Sequence, residues 1–116
     1  MTNATLFGIP NCDTVKKART WLGSHDVDYA FHDYKKAGVD PATLREWVER
    51  VGWEALLNRS GTIFRKLPDD AKHDLDAERA IAIMIAHPSA IRRPVLVLDN
   101  EIVVGWSPER YAQLFG

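Results

Sequence analysis

One cysteine, Cys12, stands among 116 residues. A single thiol cannot close an internal disulfide, which excludes the stapled frameworks of small secreted domains. No stretch approaches the roughly 20 consecutive apolar residues that a bilayer-spanning helix needs. The opening "MTNATLFGIPNC" has neither a basic region nor a long apolar core, so no signal peptide is expected. Charge of one sign is missing too: 15 basic against 16 acidic side chains leave a net charge of -1. That balance offers nothing to a nucleic acid or an anionic membrane surface, and neither is expected as a partner. There is no glycine-rich phosphate loop, since "FGIPN" lacks the glycines and lysine of such motifs. His25, His32, His73 and His87 have no metal-ligand spacing, and one cysteine cannot anchor a thiolate cluster, so no metal is expected. These absences leave a cytoplasmic protein with a reduced thiol, expected to be a monomer.

What is present is enough for one core. The chain is 46% hydrophobic, and a domain of this size buries roughly two-thirds of its unfolded surface. "TLFGI", Thr5 to Ile9, is short, apolar and β-prone, and Pro10 closes it. The period then changes. Val15, Ala18 and Leu22 recur as one helix face, with Lys16, Lys17 and Arg19 on the other side and Gly23 as the stop. "DYAFHDY", residues 28–34, reads as a second strand, and a helical crossover joins parallel strands.

A helical stretch follows. Asp40 is a good N-cap, Pro41 suits the first helical position, and Gly52 ends the run. Leu44, Trp47, Val48 and Val51 form its apolar face, and "WEALLN" reads as a short second helix. "RSGTIFRKLPDD", residues 59–70, is polar and punctuated by Gly and Pro, and reads as a loop. "DAERAIAIMIAH", residues 76–87, is a helix with Ala80, Ile81, Met84 and Ile85 along one side. In the last third, Val95–Leu98 and Ile102–Val104 flank Asp99-Asn100, the pattern of a tight hairpin. Ser107 and Pro108 then open a terminal helix. The order is strand, helix, strand, helical insert, then helix, strand, strand, helix. This is the thioredoxin-like (glutaredoxin-like) α/β order: a four-stranded mixed sheet in a single domain over 1–116, with the insert at about 36–75.

Cys12 falls where the first strand meets the first helix. Unpaired amides and the helix dipole both favour a thiolate there. A free thiol of pKa about 8.5 is only about 3% ionised at pH 7. Bringing the pKa to about 6 takes roughly 3.4 kcal/mol, while a helix terminus supplies about 0.3 to 2 kcal/mol. A nearby cation must supply the rest. Pro94 sits at the mouth of a core strand, where a residue that cannot donate to the ladder belongs. In a thioredoxin-like order this proline is cis and faces the cysteine. Arg92 and Arg93 precede it, and Arg59 and Arg65 lie on the polar segment after the insert. Guanidinium groups bind carboxylates and oxyanions in a bidentate manner.

The blocks "GIPNCDTVKKA", "ALLNRSGTIFRKL", "HPSAIRRPVLV" and "VGWSP" together resemble the arsenate-reductase-like (ArsC) family of thioredoxin-like proteins. The similarity runs from the first strand to the last helix. It is closest to small bacterial members proposed to be glutathione-dependent thiol reductases. In the arsenate reductases of this family a cysteine in an "N-x-x-C" loop attacks arsenate; Cys12 matches it, with Asn11 adjoining directly. Of the three arginines that hold the oxyanion there, one resembles Arg59 and one matches Arg93, while the third position holds Trp106.

The resemblance implies a thiol-dependent reductase with Cys12 as nucleophile and no bound cofactor. Glutathione serves as co-substrate, or a glutaredoxin as electron donor. Thr14 and the amides around it cradle the thiolate. Arg59, Arg93 and Pro94 bind the anionic substrate, and Arg65 and Arg92 are further candidates. Arsenate itself is a poor candidate substrate, because of Trp106. The alternative is a regulator of the related Spx type, which contacts RNA polymerase without catalysis. Spx proteins often carry a Cys-x-x-Cys switch, and Val15 stands at the second position here.

Overall fold

The computed structural model describes residues 4–99 and 101–115. The chain divides into two compact units, Met1–Asp33 with Arg93–Gly116, and Tyr34–Arg92.

The first unit carries the sheet. β1 (Thr5–Gly8) leads into α1 (Asp13–Ser24) and back to β2 (Ala30–Asp33). β1 and β2 are parallel, with Leu6 opposite Phe31, as a helical crossover dictates. β3 (Val95–Val97) runs antiparallel to β1, with Leu6 opposite Leu96. β4 (Ile102–Val104) pairs antiparallel with β3. The order across the sheet is β2-β1-β3-β4. The Leu98 N–H donates to Glu101 O at 2.8 Å, tying the ends of the β3–β4 hairpin together; Asn100, assigned to its turn, lies outside the described residues. The terminal helix of this unit spans Pro108–Phe115, and its Arg110 N–H bonds the Ser107 hydroxyl, as the N-cap assignment requires. The chain thus has a thioredoxin-like α/β fold with a mixed four-stranded sheet.

Alternation decides this unit's core. Leu6, Leu96 and Val103 point from one sheet face toward Ala18 and Leu22 of α1 and Tyr111 of the terminal helix. Burying a side chain of this size stabilises by about 1.5–3 kcal/mol. Val15, also fully buried, meets the sheet so closely that a Cβ on Gly8 would lie 2.7 Å from its Cγ2. Only glycine fits at the end of β1.

The second unit is helical: α2 (Tyr34–Ala37), α3 (Pro41–Val51), α4 (Trp53–Leu56), α5 (Thr62–Arg65), α6 (Asp69–Lys72) and α7 (Ala77–Ala86), followed by a 3-10 turn at Pro88–Ala90. With that turn in place, the helix at Pro108–Phe115 is α8. Asp40 caps α3 by accepting the Thr43 N–H, and Gly52 ends it at φ 86°, where glycine is favoured. Leu57 and Ile91 form an antiparallel bridge.

Four expectations change. Residues 59–70 are not all loop, because they hold α5 and begin α6. Helices of one turn are too short to leave a periodic pattern, and α5 is anchored by the single buried Phe64. Tyr34 is not in β2 but starts α2 and is buried. α1 passes Gly23 and ends at Ser24. Ile85 is 38% exposed rather than core, since it lies about 100° around α7 from Met84, at the edge of the buried stripe.

Candidate functional site

The strand–helix junction turns tightly at Cys12. Its N–H donates to Ile9 O at 3.2 Å, and its carbonyl accepts the Lys16 N–H at 2.9 Å, the first bond of α1. Cys12 is the N-cap residue, extended at φ -93° and ψ 130°, and no side-chain oxygen caps the helix. Serine, threonine or aspartate normally fills this role. Here the first-turn amides are left to the sulfur. Cys12 is partly buried, so its thiol is reachable yet shielded on one side.

The thiol is more acidic than an ordinary cysteine for identifiable reasons. Burial pushes its pKa up, but hydrogen bonds outweigh it: from the Thr14 hydroxyl, the Val15 N–H, the Arg93 guanidinium and the Thr14 N–H. The net pKa lies below the ordinary cysteine value. Donors that strengthen on ionisation favour the charged form.

Thr14 Oγ1 stands 3.2 Å from Cys12 Sγ and 3.3 Å from Arg93 O. The carbonyl can only accept, and the hydroxyl has one proton. With a thiol, Sγ–H donates to Thr14 Oγ1 while Thr14 donates to Arg93 O. With a thiolate, the hydroxyl rotates and donates to Sγ. One rotor therefore satisfies both protonation states.

The Arg93–Pro94 bond is cis, as the fold order anticipates. Pro94 is buried, and its carbonyl accepts the Gly105 N–H at 2.8 Å, which sets Trp106 beside this loop. Trp106 packs edge-on against Tyr111, with ring centroids 5.0 Å apart.

Of the residues singled out from sequence, Cys12, Thr14, Arg93 and Pro94 meet within the first unit. Arg59, Arg65 and Arg92 belong to the second. Arg59 holds its guanidinium over the Trp53 ring at 5.6 Å, and the Arg92 N–H donates to Leu56 O. From the sequence, Lys16 and Lys17 lie on the side of α1 away from its apolar face. In the structure they line a groove with Trp21 and Trp106, a pairing that no local spacing signals. Among the described residues no cluster of His, Cys, Asp or Glu is placed to hold a metal ion, and no helix is long and apolar enough to cross a membrane.

A partly exposed thiol at a helix N-terminus, beside a cis-proline loop, on a thioredoxin-like sheet defines a class of thiol-chemistry folds. Within that class the chain belongs to the ArsC family, whose model matches residues 7–114. A solved structure titled YFFB (PA3664) protein is 51% identical and superposes with a TM-score of 0.96, covering 98% of this chain and 100% of that one. An uncharacterized protein of Haemophilus influenzae is 35% identical over 96% of this chain and 97% of its own length. The global transcriptional regulator Spx of Streptococcus mutans is 27% identical over 90% of this chain and 77% of the regulator.

Proposed function

We propose that this protein is a thiol-dependent oxidoreductase in which Cys12 is the nucleophile and glutathione, or a glutaredoxin, is the reductant. The observation that carries the reading is the set of donors around Cys12 Sγ: the Thr14 hydroxyl, the Arg93 guanidinium and the first-turn amides. An inert core cysteine has no use for them. Membership of the ArsC family points the same way.

The thiolate of Cys12 attacks one sulfur of a disulfide, such as a glutathione mixed disulfide. A Cys12–sulfur bond forms, the original S–S bond breaks, and the departing sulfur leaves as a thiolate that takes a proton from water. The sequence has no second cysteine, so an external thiol attacks the adduct and returns Cys12 as thiolate. Two electrons pass from the external thiols to the substrate disulfide. Arg93 serves an anionic group of the substrate as well as the sulfur, and Arg59 is a further anion-binding candidate. Trp106, at the third arginine position of the arsenate reductases, replaces a cation with an apolar wall and one N–H. Arsenate turnover is therefore expected to be weak, and a larger, partly apolar substrate fits better.

The test is incubation with oxidised glutathione followed by mass spectrometry. Native protein should gain one glutathione on Cys12, and reduced glutathione should remove it. An adduct formed by unfolded but not by native protein would overturn the reading and favour a non-catalytic binding role.

A further inference from the structure

A groove of about 410 Å³ runs along the flank of α1, lined by Lys16, Lys17, Thr20, Trp21, Ser24 and Trp106. Its walls are two indoles, and among the described residues its charged groups are two ammoniums. Both indoles are held by one buried ring. Trp21 meets Tyr111 edge-on at 5.6 Å and 86°, and Trp106 does so at 5.0 Å and 82°. His25 stacks on Trp21 at 3.8 Å, and the Tyr111 side chain is fully buried. The walls are thus in place before any ligand arrives, which lowers the cost of binding.

Lys16 ties the groove to the turn that carries Cys12. Lys16 is one helical turn beyond Cys12 and donates its N–H to the Cys12 carbonyl. A turn rises about 5.4 Å, comparable to the reach of a ring attached to a sulfur at Cys12. On the other side, the bond from Gly105 to Pro94 O sets Trp106 next to the loop whose Arg93 carbonyl accepts from Thr14. Among the described residues, no acidic side chain lines the groove, and neither the Lys16 nor the Lys17 ammonium makes a hydrogen bond or ion pair.

We propose that this groove is a substrate subsite that takes a flat ring bearing a carboxylate, carried on the sulfur that Cys12 attacks. The proposal rests on the reading of Cys12 as nucleophile and adds the substrate class. Indole faces favour a flat ring in offset or edge contact. An ammonium is a compact charge that attracts a carboxylate. A purely aliphatic acid leaves the indoles unused, and a neutral ring leaves the lysines unused.

Three small disulfides separate these contributions. 5,5'-Dithiobis(2-nitrobenzoate) has ring and carboxylate, 4,4'-dithiodipyridine has only the ring, and 3,3'-dithiodipropionate has only the carboxylate. In each reaction Cys12 thiolate bonds to one sulfur, the S–S bond breaks and the other half leaves as a thiolate. Rates are followed by mass spectrometry and divided by those of N-acetylcysteine thiolate, which removes intrinsic reactivity. The normalised rate with the nitrobenzoate should exceed each of the others by about three- to tenfold. Trp106→Ala should reduce it toward the dithiodipropionate value. Lys16→Gln with Lys17→Gln should reduce it toward the dithiodipyridine value. The two lysines are exposed, so that variant folds even if Trp106→Ala does not.

Equal normalised rates for all three probes would overturn the subsite while leaving the nucleophile standing. An equal advantage of both anionic probes over the neutral one would overturn it too, because the lysines would then only steer charge. Cys12 reacting with no probe faster than the free thiolate, and with no pH midpoint below that of free cysteine, would overturn the nucleophile reading itself.

Discussion

Thr14 is joined to Cys12 on one side, at 3.2 Å, and to the Arg93 carbonyl on the other. Its hydroxyl links the start of α1 to the chain segment that enters β3. The sulfur's protonation state is therefore coupled to a hydroxyl rotor whose second partner is 79 residues away.

Thr14→Val should raise the Cys12 pKa. The variant keeps the shape and removes the donor. A hydrogen bond to a charged group contributes about 1.5–3 kcal/mol, and partial exposure of the sulfur puts the expected loss of thiolate stabilisation at the low end of that range. Thr14→Ser should restore most of the wild-type value. The measurement is alkylation rate against pH on the folded protein, and an unchanged midpoint in Thr14→Val would remove the rotor from the mechanism.

Stability should depend on pH through the same thiol. The folded pKa of Cys12 lies below its ordinary value, so between the two values the unfolded chain binds more protons. Wild type should gain stability relative to Cys12→Ser as pH rises through the folded pKa. The gain should level off above about 8.5, the unfolded value, and disappear as pH falls below the folded one. Urea denaturation of both proteins across that range reads this difference. A flat difference would mean that the donors do not distinguish thiolate from thiol.

Gly8→Ala should destabilise the sheet–helix contact. Its Cβ would sit 2.7 Å from Val15 Cγ2, and Val15 is fully buried. Overpacking of this kind costs about 1–3 kcal/mol. Adding Val15→Ala makes room for the new methyl, so the double variant should be less destabilised than the sum of the two single ones. Thermal or urea unfolding of the four proteins completes the cycle, and strict additivity would contradict the close contact.

Much of this molecule is legible in one dimension. Strand and helix order, the Asp40 and Ser107 caps, the Gly52 stop and the place of Cys12 between β1 and α1 all follow from signals spanning one or two turns. Propensity, capping and periodicity are local, so a sequence displays them directly. Pro94 at the start of β3 is legible for the same reason: a residue without an N–H has few places in a sheet.

The rest waited for the tertiary structure. Sheet register decides that the Arg93 carbonyl reaches Thr14, that Val15 excludes a side chain at Gly8, and that Trp21 and Trp106 share Tyr111 and frame a groove with Lys16. Thr14 and Arg93, like Trp21 and Tyr111, are far apart in sequence, and even Gly8 and Val15 meet only because α1 folds back onto β1, so no local spacing encodes these contacts. The one-turn helices α5 and α6 leave no sequence signal for the opposite reason, because a single turn is too short to show a repeating apolar face. The sequence alone determined which residue carries the thiol; only packing across the sheet decided which donors surround it, because a hydrogen bond depends on where the two groups end up in space.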